Sequence, residues 1–244
     1  MIKTILWDID GTLLDFLLAE KAAIKACFKK FHLGECTDQM IARYSQINVG
    51  YWKRLEKGEM TKPQILVGRF KDFFGEYNID QSKAEAFNAE YQIRLGDTTV
   101  FTQGAKETVT FLKGKVLQVA VTNGTKVAQD RKLKNSGLDK LFDYVFISED
   151  TGFEKPDPRF FDIVFKTISQ SPANEPGITD QNPNSTEDKS QILIVGDSLT
   201  SDIAGGKNAE IKTCWYNPKR EPLPQGVSAP DYEITRIEEV LSLI

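Results

Sequence analysis

One histidine, three cysteines, no long apolar run and no excess of positive charge bound what this 244-residue chain can be. No apolar stretch approaches the ~20 residues that cross a bilayer, so no membrane-spanning helix is expected. Lys and Arg number 31 against 35 Asp and Glu, a formal net charge of −4. A protein that tracks a nucleic-acid backbone needs a basic face, so a nucleic-acid polymer is not the expected partner. His32 lies in FKKFHLGE, where the pattern predicts the end of a helix. A mechanism built on a histidine base could use only this residue, and no nucleophile motif lies near it. Cys27, Cys36 and Cys214 lack metal-ligand spacing. The opening MIKTILWDIDG puts Asp8 and Asp10 where a secretion signal needs its apolar core, so three free thiols in a reducing cytoplasm are expected.

What is present begins with that same opening. IKTILW is β-branched and apolar, a short buried strand, and it runs straight into Asp8, Asp10 and Gly11. Two carboxylates at a buried strand end repel, and one must hold its proton unless a cation intervenes. The plain alternative is a solvated Asp/Gly turn.

The rest of the chain changes character near residue 100. Residues 17 to about 94 read almost wholly as helix: Leu18, Ala22, Cys27 and Phe31 recur at roughly helical spacing in one segment. In a later segment Ile65, Phe70, Phe73 and Phe74 do so, with Thr61 as N-cap and Pro63 in the first turn. From about residue 100, short apolar strands alternate with helices, the pattern of a parallel sheet covered on both faces. The expected fold is therefore α/β, a Rossmann-like doubly wound parallel sheet with an inserted helical domain. Residues 1–15 plus 100–244 would form a discontinuous core and 16–99 the insertion. Residues 169–191, rich in Pro, Asn, Ser, Asp and Glu, read as a mobile loop of the core.

Ligands of open α/β sheets sit beyond the carboxyl ends of the strands. After the predicted strands come Asp8 and Asp10; Thr122, Asn123 and Gly124; Lys155 in FEKPDP; and Asp197, with Asp202 further on. Carboxylate oxygens suit Mg²⁺ together with a substrate phosphate. A carboxylate can attack phosphorus to give an aspartyl phosphate, while Thr122, backbone N–H groups and Lys155 hold the phosphoryl oxygens.

DIDGT, VTNG, the Lys155 of FEKPDP and GDSLTSD, in that order, resemble the four motifs of the haloacid-dehalogenase (HAD) superfamily of phosphohydrolases, and the helical block resembles its inserted cap. The resemblance implies Asp8 as nucleophile and metal ligand, and Asp10 as general acid and base with its backbone carbonyl on Mg²⁺. It implies Thr122, Asn123 and Lys155 as phosphate-binding, Asp197 as a metal ligand and Asp202 as its support. NVGYWKRLEKGEMT, ISEDTGFEKP and TCWYNP resemble more narrowly the YjjG-like pyrimidine 5'-nucleotidases, although the 169–191 segment is longer than that group leads one to expect. On this reading Asn48, Tyr51, Trp52 and Arg69 could contact a base and ribose, the partner being a small phosphomonoester. A sugar-phosphate phosphatase, a phosphosugar mutase and a non-catalytic binding relative share enough of the pattern to stand as alternatives. A dehalogenase has no need of Asp10.

Overall fold

The computed structural model describes residues 1–170 and 188–244. In chain order its strands are β1 (Thr4–Trp7), β2 (Leu117–Thr122), β3 (Tyr144–Ile147), β4 (Ile192–Gly196), β5 (Lys212–Tyr216) and β6 (Tyr232–Ile234). The α-helices are α1 (Phe16–Lys30), α2 (Asp38–Glu56), α3 (Lys62–Glu76), α4 (Ala84–Asp97), α5 (Ala105–Leu112), α6 (Lys126–Ser136), α7 (Ser148–Thr151), α8 (Pro158–Ser169) and α9 (Ala204–Asn208). Most of the 169–191 segment, residues 171–187, lies outside the described residues, so the expected mobile loop does too. No described helix is long and apolar enough to cross a membrane.

The chain forms two compact units. The first comprises Met1–Leu13, Thr102–Asn123 and Lys140–Ile244 and holds a six-stranded sheet in the order β3-β2-β1-β4-β5-β6. Every pairing is parallel. The central strands β1 and β4 are buried along their whole length, which is why they are apolar in the main rather than alternating. Leu6, Val119 and Ile194 share one face and pack with Phe160, Phe161 and Val164 of α8. On the opposite face Trp7 donates to Gln118 at 3.2 Å, and Gln118 donates to the Val109 carbonyl of α5 at 2.9 Å. The sheet is thus the doubly wound Rossmann-like core expected from the alternation. The strand order reverses direction between β1 and β4, so their carboxyl ends open the crevice where such sheets bind ligands.

The second unit, Leu14–Phe101 with Gly124–Asp139, is all helix. The return segment carries α6, whose Ala128 joins a core built of α1, α2, α3 and α4. Phe70, Phe73 and Phe74 lie in that core and Ile65 in a smaller adjoining cluster, as the spacing predicts. Thr61 caps α3, its N–H donating to Gln64 Oε1 at 2.8 Å. Tyr44 stacks on Phe70 at 5.0 Å, and Phe87 meets Phe74 edge-on at 5.0 Å. Pairs of this kind add about 0.5–1.5 kcal/mol beyond area burial. The expected register of α1 is corrected: Leu18 and Ala22 are exposed, and the buried stripe is Ala19, Ala23, Ile24, Cys27 and Phe28. Those residues recur at three- and four-residue steps along one face, and Leu18 and Ala22 each fall one position before it, on the neighbouring face. His32 is exposed just past the end of α1 with φ 54°, and the three cysteines are buried free thiols.

Candidate active site

Asp8 follows β1 directly, and its N–H donates to the Val195 carbonyl of β4 at 3.0 Å, so the ladder carries the residue to the sheet edge. Its carboxylate does not face water. Lys155 Nζ donates to Asp8 Oδ1 at 2.8 Å, to Asp202 Oδ1 at 2.6 Å and to the Val121 carbonyl at 2.8 Å. All three donors of the ammonium are thereby used. The Lys155 side chain is 1% exposed, so this is a buried ion triad rather than a surface charge. Asp202 lies in a π-helical turn, Leu199–Ile203, and its second oxygen accepts from the Ser198 N–H at 3.1 Å.

Thr12 ties the ends of β1 and β4 together. Its Oγ1 accepts from the Asp197 N–H at 3.0 Å and lies 3.2 Å from Asp8 Oδ2 and 3.4 Å from Asp197 Oδ1, with one proton to give to either. The Asp197 carbonyl accepts from Trp215 Nε1 at 2.9 Å. Glycine is required at position 11, where φ is 90° and a Cβ would come within 2.5 Å of Asp197 Oδ2. It is required at 196 as well, where a Cβ would collide with Asp202.

The Asn123 side chain is tied to the loop that carries Lys155. Its Nδ2 donates to the Lys155 carbonyl at 2.8 Å, while its Oδ1 accepts from the Lys155 N–H at 2.8 Å. Its amide also reaches Ser201 Oγ at 3.2 Å. The carboxamide is a clamp on the Lys155 backbone. Thr122 is the buried last residue of β2, paired in register with Ile147. Asp10 lies half-buried two residues beyond Asp8.

The charges do not balance. Oxygens of Asp8, Asp197 and Asp202 lie within 4.8 Å of one another, against the single ammonium of Lys155. Burial, and then the Asp202 charge, push Asp8 up to about 7 despite Lys155. Crowding of the Asp197 carboxyl by surrounding protein, followed by the charges of Asp8 and Asp202, raises Asp197 well above the usual carboxylate range, although the residue as a whole is exposed. Burial lowers Lys155, but Asp202 and Asp8 outweigh it and hold the ammonium above its ordinary value. An all-oxygen set with this surplus of negative charge fits a hard divalent cation, which would restore the ionised forms.

The predicted substrate contacts of the helical unit have partners within that unit. Asn48 and Arg69 are each 2% exposed. Asn48 Nδ2 donates to Glu20 at 2.8 Å, and Arg69 donates to Asn48 Oδ1 at 2.6 Å and to Asn88 Oδ1 at 3.2 Å. Arg69 also lies over the rings of Phe70 and Tyr91. Trp52 is half-buried against Tyr51, Leu55 and Ile65, and the Tyr51 hydroxyl donates to Asp72 at 2.6 Å. The described arrangement commits Asn48 and Arg69 to internal partners. Sequence reasoning passed over Thr12, Ser201 and Trp215, although Thr12 stands inside the DIDGT it singled out.

A parallel sheet whose strand order switches direction between β1 and β4, beside a carboxylate–lysine triad, fits a class of enzyme in which comparison with known proteins places the chain. The family model for haloacid dehalogenase-like hydrolases matches residues 2–210. The chain belongs to that family, and the resemblance read from its motifs holds. Over 243 residues it is 35% identical to the HAD-hydrolase YfnB of Bacillus subtilis, covering 99% of this chain and 95% of that one. The magnesium-bound crystal structure of YfnB matches with a TM-score of 0.86 at 34% identity, over 99% of this chain and 98% of that chain. The pyrimidine 5'-nucleotidase PynA of Streptococcus pneumoniae is 32% identical over 245 residues, 99% of this chain and 94% of that protein. The pyrimidine 5'-nucleotidase YjjG of Escherichia coli is 28% identical over 201 residues, 82% of this chain and 80% of that protein.

Proposed function

We propose that this hydrolase is a Mg²⁺-dependent phosphomonoesterase that works through an aspartyl phosphate on Asp8 and acts on pyrimidine nucleoside 5'-monophosphates. The observation that carries the chemistry is Asp8 itself: a carboxylate at the end of β1, 2.8 Å from Lys155 Nζ, with Asp197 close by. The substrate rests on similarity to proteins named pyrimidine 5'-nucleotidases.

The residues that would hold Mg²⁺ are Asp8 and Asp197 with the backbone carbonyl of Asp10, Asp202 supporting them. There the ion would neutralise the carboxylates and draw charge from the phosphoryl oxygens. Asp8 Oδ attacks phosphorus, the ester P–O bond breaks, and Asp10 gives its proton to the leaving oxygen. Asp10 then takes a proton from water as that water attacks phosphorus, releasing phosphate and restoring Asp8. Thr122, the Asn123 N–H and Lys155 hold the phosphoryl oxygens as charge spreads over them. To meet phosphate, Lys155 gives up one of its three bonds. None of these groups distinguishes one leaving alcohol from another.

The test is phosphate release from a panel of nucleotides and sugar phosphates, with and without Mg²⁺. UMP, dUMP and dTMP should show higher kcat/KM than purine nucleotides or hexose phosphates. A sugar phosphate at least about tenfold above every pyrimidine monophosphate would remove the nucleotidase reading and leave the phosphatase standing.

A further inference from the structure

Trp215, in the TCWYNP stretch of β5, has no part in the mechanism above. It stands opposite Gly196 in the parallel ladder of β4 and β5, one residue short of Asp197. From there its Nε1 donates to the Asp197 carbonyl at 2.9 Å, and the residue is 5% exposed. An indole has one N–H and no acceptor, so this single bond uses its whole polar capacity.

Asp197 lies one residue beyond the end of β4, and three contacts hold its backbone there. Its N–H donates to Thr12 Oγ1 at 3.0 Å, which orients the peptide plane before its Cα. The plane after that Cα is held at both edges, the Asp197 carbonyl by Trp215 and the Ser198 N–H by Asp202 Oδ2 at 3.1 Å. Peptide units are planar, so orienting the planes on both sides of a Cα fixes φ, ψ and the direction of its Cα–Cβ bond. Asp197 itself is exposed, so its backbone rather than packing around the side chain sets where the carboxylate starts. That carboxylate has an oxygen within 4.8 Å of oxygens of Asp8 and Asp202. We infer that Trp215 is a positioning residue for the cation: by holding the Asp197 carbonyl it aims the Asp197 carboxylate toward Asp8, without touching ion or substrate. This rests on the Mg²⁺-dependent phosphatase reading above and extends it to β5, a strand that supplies no group to the reaction.

Trp215→Phe and Trp215→Met each delete the donor and leave the Asp197 carboxylate in place. Thr213→Val is the control on the same strand. It removes the bonds of Thr213 Oγ1 to the Asp231 carboxylate at 2.8 Å and from the Asp231 N–H at 3.0 Å, and Asp231 is no proposed metal ligand. Each full-length variant is titrated with Mg²⁺ by calorimetry without substrate, and kcat is then measured at saturating Mg²⁺. Both Trp215 variants should weaken Mg²⁺ binding about tenfold while kcat at saturation stays within about threefold, the lower end of the loss when a partner behind a metal ligand goes. Thr213→Val should bind Mg²⁺ as wild type does. A second measurement needs no change at Trp215. In ¹⁵N spectra of wild type, its indole resonance, identified by elimination with Trp7→Phe and Trp52→Phe, should move along the calorimetric Mg²⁺ curve. Wild-type Mg²⁺ affinity in a folded Trp215 variant overturns the inference, as does an indole resonance indifferent to Mg²⁺. An equal loss in Thr213→Val overturns it too, since the effect would then be general to β5. A wild type that binds no Mg²⁺ overturns both readings. A wild type that binds Mg²⁺ yet hydrolyses no phosphomonoester would overturn the functional reading alone, and the calorimetric comparison would still decide the role of Trp215.

Discussion

Lys155 and Asp8 form a buried ion pair, with Nζ 2.8 Å from Oδ1, and the lysine is shared with Asp202 at 2.6 Å. Removing one member of such a group leaves uncompensated charge, which costs about 3–5 kcal/mol where replacing the whole group need not. Lys155→Met should therefore lower the unfolding midpoint markedly in metal-free buffer and cut kcat/KM by about a thousandfold or more. Urea unfolding and steady-state kinetics measure the two effects. Wild-type values for both would reduce Lys155 to a bystander.

The carboxylate cluster predicts how the protein answers chelation. With EDTA the enzyme should fall silent and lose thermal stability, and Mg²⁺ should restore both, since a ligand that binds only the folded state stabilises it by mass action. Asp197→Asn should raise the Mg²⁺ concentration needed for half-maximal activity by about tenfold or more. Full activity in excess chelator would take the cation out of the account.

Asp10 should be separable from Asp8 by the leaving group. Asp10→Asn should slow alkyl phosphates far more than an aryl phosphate, whose leaving oxygen needs no proton. Equal losses on both substrates would contradict its role as acid.

Glu20 makes a prediction about stability rather than catalysis. Burial raises its pKa above the ordinary 4.5, outweighing the hydrogen bonds from Ser45 and Asn48 and the charge of Arg69. A carboxyl raised by folding binds its proton more tightly when folded. Its contribution to stability is therefore complete below about 4.5 and is lost as pH rises through the folded value. Comparing wild type with Glu20→Gln by urea unfolding should show the variant gaining on wild type between pH 5 and pH 8. A difference that does not change with pH would argue against the buried charge.

The sheet was legible because its signals are local. β-branched runs mark the strands, Asp8 and Asp197 follow strand ends directly, and Thr122 closes β2. Lys155 was legible only as a residue in a loop; its position between Asp8 and Asp202 arises from pairings across more than forty residues of chain. The helical unit was harder. Asn48 and Arg69 look like polar residues available to a ligand, because a sequence does not show that Glu20 and Asn88 already occupy them. The return of Gly124–Asp139 to the helical unit has no signature in composition either, since α6 is polar enough to read as any surface helix covering a sheet.

The central claim is that the phosphoryl group passes through Asp8. Wild-type enzyme mixed with substrate and Mg²⁺, quenched in acid within the first turnover and digested, should carry a phosphoryl group on the peptide containing Asp8. Asp8→Asn, folded as judged by circular dichroism, should carry none and release no phosphate. A phosphoryl adduct on another residue, or substantial turnover by Asp8→Asn, would contradict the account.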